Sequence, residues 1–323
     1  MIRFFDPGKG YLKIKKEIDG EIQRVLSAGD LILRADVEKF EETLAEFVGT
    51  KYAVGFNSGT DALYLALKAL NIGVENEVAI PSHTFVATAQ VVAQIGARPV
   101  LYDIGENVKD GLDCYMVAHI AGELSKIPEK YPVIEDACQA LGAVKNPTTS
   151  AQCWSFYPAK ILGAYGDAGA LTTNDKDIYN EVKELRNHYK KDYSRWGINS
   201  RMDNIQAAIL NVKFKYLPET LARRKEIAEI YLQGLKGIVG LPNNTEGRVW
   251  QDFCIHTRER DELYKYLKDC GIETMKNEYP MPIPKLPLAA KYEAETLRIP
   301  CNENLTDLEV SQIIEIIKRF YAV

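Results

Sequence analysis

The stretch Tyr52-Ala53-Val54-Gly55-Phe56-Asn57-Ser58-Gly59-Thr60-Asp61-Ala62-Leu63 runs from an apolar segment through a polar turn into a second apolar pattern. Tyr52–Asn57 reads as a buried strand. A helix from Thr60 to about Asn71 follows it, with Leu63, Leu67 and Leu70 on one face. The alternation continues outward with a strand at Glu77–Ile80, a helix near Phe85–Ile95 and a strand at Arg98–Asp103. Further strands are predicted near Tyr115–His119, Pro132–Asp136, Gln152–Phe156 and Gly169–Thr173. Strands separated by helices place the chain in the α/β class, with a largely parallel sheet covered on both faces.

Beyond about Tyr216 the pattern changes. Leu217–Leu235 reads as a charged amphipathic helix linking two domains, followed by a strand at Val249–Thr257 and a helix at Asp261–Cys270. Next comes a segment holding Pro280, Pro282, Pro284 and Pro287. The chain closes with a capping box, Thr306 to Glu309, ahead of an apolar stripe of Val310, Ile313, Ile314, Ile317 and Phe320. The expected division is a large domain over 1–215, with an N-terminal arm, and a small α+β domain over 216–323.

With 323 residues the chain has room for two domains and a core that needs no disulfide or structural metal. Its 45 acidic and 40 basic residues are interspersed, so no basic face marks it for nucleic acid. The longest uncharged run, Val78–Ala97, holds Pro81, His83, Gln90 and Gln94 and is too polar to span a membrane. The N-terminal residues lack the pattern of an export signal, and the six cysteines include no C-x-x-C. They read as free thiols of a cytoplasmic protein. The four histidines are scattered without metal-ligand spacing, so no metal site is expected. His83 is expected beside a ligand pocket, and His119 as a satisfied strand-end residue.

Four places combine residues in a way packing does not require. At Ser58-Gly59-Thr60 a strand turns into a helix, and the free N–H groups and hydroxyls suit either a phosphate or an ordinary N-cap. Asp136 ends a buried strand at the edge where open α/β sheets bind ligands; it fits a partner for a cationic cofactor group and equally a helix cap. Lys160 follows Ser155-Phe156-Tyr157-Pro158-Ala159 in a tight loop with apolar flanks, a setting in which a lysine can form a Schiff base. Gly197–Asp203 is a polar loop, ahead of a helix, that faces a ligand or another subunit.

Taken together, NSGTDAL (Asn57–Leu63), PSHTFVAT (Pro81–Thr88), EDACQALGA (Glu135–Ala143), SFYPAKILGAYGDAGAL (Ser155–Leu171) and INSRMDNIQAAIL (Ile198–Leu210) resemble, in order, the DegT/DnrJ family of nucleotide-sugar aminotransferases. These are fold-type I enzymes that use pyridoxal 5′-phosphate (PLP), with a mostly parallel seven-stranded sheet in the large domain. The resemblance implies that Lys160 holds PLP covalently and moves the proton, and that Asp136 keeps the pyridine nitrogen protonated. It further implies that Gln139 reaches the phenolic oxygen and that Phe85 stacks on the ring. Ser58, Gly59, Thr60 and Ser155 would hold the phosphate, and Asn199 would reach it from the second subunit of a homodimer. Tyr165, Glu278 and Tyr279 are the implied substrate contacts.

The implied reaction is ping-pong: glutamate leaves its amino group on the cofactor as pyridoxamine phosphate (PMP), and the keto group of a nucleotide-linked deoxysugar then accepts it. Gly271–Pro282 is similar to members acting at the sugar 3-position. Two other readings share these motifs: an aminotransferase acting on a cyclitol or other keto compound, and a PLP-binding regulator without turnover. Lys160 argues against the dehydratase members, which carry histidine there, and the absence of G-x-G-x-x-G argues against a nicotinamide enzyme.

The chain departs from the family pattern in several places. Glu278 stands where histidine is common, Arg34 where glycine is common, and Tyr189 where glycine usually follows His188. The segments near Asp103–Tyr115 and Val144–Gln152 are short.

Overall fold

Strand β1 (Tyr52–Phe56) forms one edge of a seven-stranded sheet in the computed structural model, which describes residues 1–106, 111–129 and 132–322. Of the short segment Asp103–Tyr115, residues 107–110 lie outside the described residues. The other strands are β2 (Glu77–Pro81), β3 (Arg98–Tyr102), β4 (Cys114–Ala118), β5 (Val133–Asp136), β6 (Ala151–Ser155) and β7 (Gly169–Thr173). Their spatial order is β1-β7-β6-β5-β4-β2-β3. β7 runs antiparallel to both β1 and β6, while β6, β5, β4, β2 and β3 pair in parallel. β4 and β5 are fully buried, as the apolar runs require of strands covered on two faces. The α/β class with a mostly parallel sheet is therefore what the chain adopts.

The covering helices are α1 (Pro7–Ala28), α2 (Ala35–Val48), α3 (Gly59–Ala69), α4 (Val86–Gln94), α5 (Lys176–Leu185) and α6 (Asn204–Phe214). α3 starts where the Ser58 hydroxyl accepts the Asp61 N–H at 3.1 Å, and Asn71, at φ 56°, follows its end. Arg34 is the extended residue that opens α2 and pairs with Asp30 at 3.3 Å. Tyr189 has a left-handed backbone (φ 54°) between His188 (64°) and Tyr193 (55°), which explains why glycine suits that position.

The C-terminal region holds α7 (Leu217–Gly234), β8 (Phe253–His256), α8 (Arg260–Asp269), β9 (Met275–Lys276), α9 (Pro287–Glu295), β10 (Thr296–Ile299) and α10 (Asp307–Tyr321). Its three strands form an antiparallel sheet of order β8-β10-β9. α7 joins two cores: Leu217 packs with Trp154, Phe156 and Leu162 near the large sheet, and Ile227, Ala228 and Tyr231 pack with α10 and β8. The capping box at Thr306 is formed on both sides.

Two expectations need adjustment here. The strand predicted from Val249 starts only at Phe253, because Arg224 Nη1 takes the carbonyls of Trp250 and Gln251 at 3.2 and 3.0 Å. The proline-rich segment is not all loop, since Pro287 opens α9, where a missing N–H costs nothing.

The N-terminal residues are stitched to this region. Ile2 exchanges backbone hydrogen bonds with Gly271 and Glu273, and Asn302 donates to the carbonyls of Arg3 and Phe4.

On the large domain, Glu41 of α2 binds both the Gly55 N–H of β1 (2.7 Å) and Arg186 Nη1 (2.5 Å), which also donates to the Gly55 carbonyl at 2.8 Å. Arg186 is buried, so removing its partner strands a charge. Glu41→Ala is expected to lower the unfolding free energy by about 3–5 kcal/mol. Glu41→Gln should lose clearly less, as chemical denaturation would read.

Candidate active site

The carboxyl ends of β4, β5 and β6 and the N-termini of α3 and α4 converge on a cavity of about 540 Å³, closed on its far side by the C-terminal region and by Phe4 and Phe5. This is the edge of a parallel sheet at which ligands bind. Asp136 is the last residue of β5, Ser155 the last of β6, Ser58 the N-cap of α3 and Phe85 the N-cap of α4. All four line the cavity, together with Gly59, Thr60, Gln139, Lys160, Glu278 and Tyr279.

Asp136 is buried and held on both oxygens. Thr88 of α4 donates to Oδ2 at 2.7 Å, and the Cys138 N–H lies 3.3 Å from Oδ1. Since the single hydroxyl proton of Thr88 goes to Asp136, Thr84 must donate to Thr88 across their 2.8 Å contact. The aspartate is thus fixed as an acceptor, and among the described residues no cation lies in hydrogen-bond reach of it. Burial first, and then the Asp136 carboxylate, push the neighbouring Cys138 thiol well above its ordinary value. That thiol stays protonated and does not compete as a nucleophile.

Beside Cys138, close packing shapes a cradle. A Cβ on Gly59 would come within 2.8 Å of Cys138 Sγ and 3.0 Å of Ser155 Cβ. One on Gly169 would lie 2.2 Å from the Ser58 carbonyl carbon and 2.4 Å from the Gly59 nitrogen. The first turn of α3 can therefore sit against the end of β6, leaving its free N–H groups and three hydroxyls (Ser58, Thr60, Ser155) lining one end of the cavity. An anionic group suits that end and a cationic ring nitrogen suits Asp136, so the residues present fit pyridoxal phosphate.

Lys160 stands in a tight loop. Its N–H donates to the Tyr157 carbonyl at 2.8 Å, Ala164 donates to Phe156 at 2.8 Å, and a Cβ on Gly163 would lie 2.2 Å from the Pro158 oxygen. Gln251 clamps this loop from across the cavity: its Oε1 accepts the Ile161 N–H and its Nε2 donates to the Ala159 carbonyl, both at 3.0 Å. Arg224 in turn fixes the Gln251 backbone and pairs with Glu303 at 2.9 Å.

The remaining wall is aromatic and polar. Gln139 Oε1 accepts the Ala121 N–H at 2.7 Å, and its Nε2 donates to the Tyr279 hydroxyl at 3.4 Å. Burial pushes the Tyr279 phenol up to about 12, so it remains neutral. Phe85 meets the Tyr279 ring edge-on at 6.2 Å and is itself half exposed to the cavity. Arg298 sits 5.5 Å from the same ring and binds Asp252 at 3.2 Å.

Two of the sequence-predicted residues are not brought to this cavity. Asn199 is exposed on the loop before α6, and Tyr165 packs edge-on against Tyr11 with the Lys213 ammonium 4.8 Å from its ring. His83 lies behind the wall rather than in it, bound to Glu293 at 3.0 Å and Asn277 at 3.3 Å. His119 lines the cavity, but both ring nitrogens are engaged: Ser125 N–H donates to Nδ1, so Nε2 donates to Glu135 at 2.8 Å. Sequence reasoning missed Gln251, Arg224, Asp252 and Arg298. All four come from the C-terminal third, and no local pattern distinguishes them.

Two predictions follow from this geometry. Gln251→Leu is expected to slow covalent capture of added pyridoxal phosphate by Lys160 about tenfold or more, because the loop loses both clamps. Borohydride trapping and mass spectrometry of the Lys160 peptide would measure it. Burial lowers the Lys213 ammonium to about 8. Between that value and the ordinary 10.5 the unfolded chain holds the proton and the folded chain does not, so stability rises with pH over this window. Lys213→Met should flatten the rise in denaturation midpoints between pH 8 and 10.5.

Among the described residues no helix is long and apolar enough to cross a membrane. The chain is 34% identical, over 99% of both sequences, to a dTDP-3-amino-3,6-dideoxy-alpha-D-galactopyranose transaminase of Aneurinibacillus thermoaerophilus. It is 36% identical to a UDP-2-acetamido-2-deoxy-3-oxo-D-glucuronate aminotransferase of Pseudomonas aeruginosa, over 91% of this chain and 90% of that one. It superimposes on the crystal structure of Bacillus subtilis NtdA with bound PMP at a TM-score of 0.85, with 26% identity, covering 96% of this chain and 82% of that one. The family signature itself matches residues 12–318, and the chain belongs to the DegT/DnrJ/EryC1/StrS aminotransferase family.

Proposed function

We propose that this protein is a PLP-dependent aminotransferase that moves the amino group of glutamate to the C3 keto group of a nucleotide-linked deoxysugar by a ping-pong reaction. The observation that carries the reading is the convergence of Lys160, Asp136 and the α3 phosphate cradle on one cavity. Bound there, pyridoxal phosphate supplies an electron sink and carries the amino group between the two substrates. The Asp136 carboxylate, held by Thr88 and Cys138, keeps a proton on the ring nitrogen. Ser58, Gly59, Thr60 and Ser155 hold the phosphate, Gln139 orients the phenolic oxygen and Phe85 covers the ring. Lys160 Nζ removes the proton from the substrate carbon that bears nitrogen and returns it on the other side of the transfer.

The working form is a homodimer in the cytoplasm. Asn199 does not line its own chain's cavity and follows Trp196, which is 91% exposed, by three residues. An exposed tryptophan of this kind suits burial against a second copy, which would bring Asn199 to the partner's phosphate. The division of each subunit falls between residues 215 and 216, at the start of α7.

The test is the absorbance of PLP-loaded protein before and after glutamate. The visible cofactor band is expected to give way to the near-ultraviolet band of the amino form. Lys160→Ala should lose the visible band and turnover while keeping its fold. Asp136→Asn should bind the cofactor yet lose at least about 100-fold in rate. Turnover at the wild-type rate in either variant would remove that residue from its role.

A further inference from the structure

We propose that Glu278 sets the choice of acceptor: it receives a hydroxyl of an uncharged sugar and disfavours a sugar bearing a carboxylate. This inference rests on the reading of the cavity as a sugar aminotransferase site.

Glu278 is part of the cavity wall, with 53% of its side chain exposed. Arg260 Nη1 lies 2.9 Å from its Oε1, and Oε2 has no hydrogen-bond partner among the described residues. Arg260 is buried behind the wall with its other donors committed. Nε binds Asp261 Oδ1 at 2.8 Å, Nη1 also binds the Glu293 carbonyl at 2.8 Å, and Nη2 lies 2.8 Å from the same Asp261 oxygen. Lys276 pairs with Asp261 at 2.9 Å. None of Arg260, Asp261 and Lys276 lines the cavity, so Glu278, and not the cation that anchors it, is what the substrate touches.

What the substrate meets at this point is a carboxylate with acceptor capacity and no donor. Its neighbours in the wall, Met275 and Tyr279, add apolar surface and one neutral hydroxyl. The guanidinium of Arg298, also part of the wall, is bound by Asp252 at 3.2 Å and by the Lys276 carbonyl at 3.3 Å, and its remaining Nε is buried away from the cavity space. A sugar hydroxyl completes Oε2. A sugar carboxylate set against Glu278 meets like charge, which is the arrangement that rejects a partner. A 36% identical relative is named for a glucuronate acceptor, so a carboxylated sugar is a fair alternative against which to test this residue.

The experiment uses the PLP-loaded enzyme, glutamate and two nucleotide-linked 3-keto hexoses that differ only at C6, one with a hydroxymethyl group and one with a carboxylate. The wild type is expected to favour the hydroxymethyl sugar by about tenfold or more in kcat/KM. Glu278→Gln removes the charge at nearly constant shape and should shift the ratio toward the carboxylated sugar by about tenfold. A wild-type preference for the carboxylated sugar, an unchanged ratio in the variant, an equal loss on both sugars, or no transfer to either would each overturn the proposal. Conversion of the wild-type cofactor band by glutamate alone checks the underlying reading separately. Its absence would mean that the aminotransferase reading has failed, rather than the role of Glu278.

Discussion

The contact between Gly169 and the Ser58–Gly59 turn is the constraint on which the rest of the site depends. β7 must lie between β1 and β6, and it can do so only where no side chain stands between its first residue and the backbone of the turn. That approach seats the first turn of α3 beside the end of β6, within the same cavity as Asp136 and Lys160. A single methyl group at Gly169 would push backbone against backbone, and neither the edge strand β1 nor the cradle has a flexible side chain to yield. Sheet order and anion site are therefore one geometric solution.

Two adjacent acids at the end of β5 show how the strand sorts chemistry by position. Successive side chains point to opposite faces. Asp136 meets Thr88 and the cavity, while Glu135 joins a buried hydrogen-bonded run made of His119, Thr149, Gln152, Thr172 and Trp154. This run crosses from β4 to β7 and satisfies a buried carboxylate without recruiting a cation from the cavity. A fully satisfied network of this kind rigidifies the sheet beneath the site.

The large-domain half of the site is legible in the sequence because its residues sit where strands end and helices begin. There Ser58, Asp136, Ser155 and Lys160 each interrupt an apolar run. The strand alternation is equally legible, since β1 to β7 are short apolar segments separated by helices and loops. The other half is not legible. Gln251 acts through backbone atoms of Ala159 and Ile161, far along the chain, and such a contact leaves no periodicity or spacing to read. Arg224 looks like one more charged residue of an amphipathic helix until its burial is known. Tyr165 belongs to the motif of the lysine and Asn199 to a separate one, yet the fold of one chain leaves both out of its cavity lining. The proline-rich segment conceals α9, because proline marks a helix start as readily as a break.

The attachment of the N-terminal residues gives the site an order of assembly. Phe4 and Phe5 form part of the cavity wall, and what holds them there is Gly271, Glu273 and Asn302. On the ribosome these two phenylalanines emerge long before the residues that fix them. The large sheet and the lysine loop can form while the wall is still missing, and Gln251 arrives in the same late portion of the chain. The cavity is thus completed by segments that lie far apart along the chain, so a chain made only as far as α6 can display Lys160 and Asp136 but cannot enclose them.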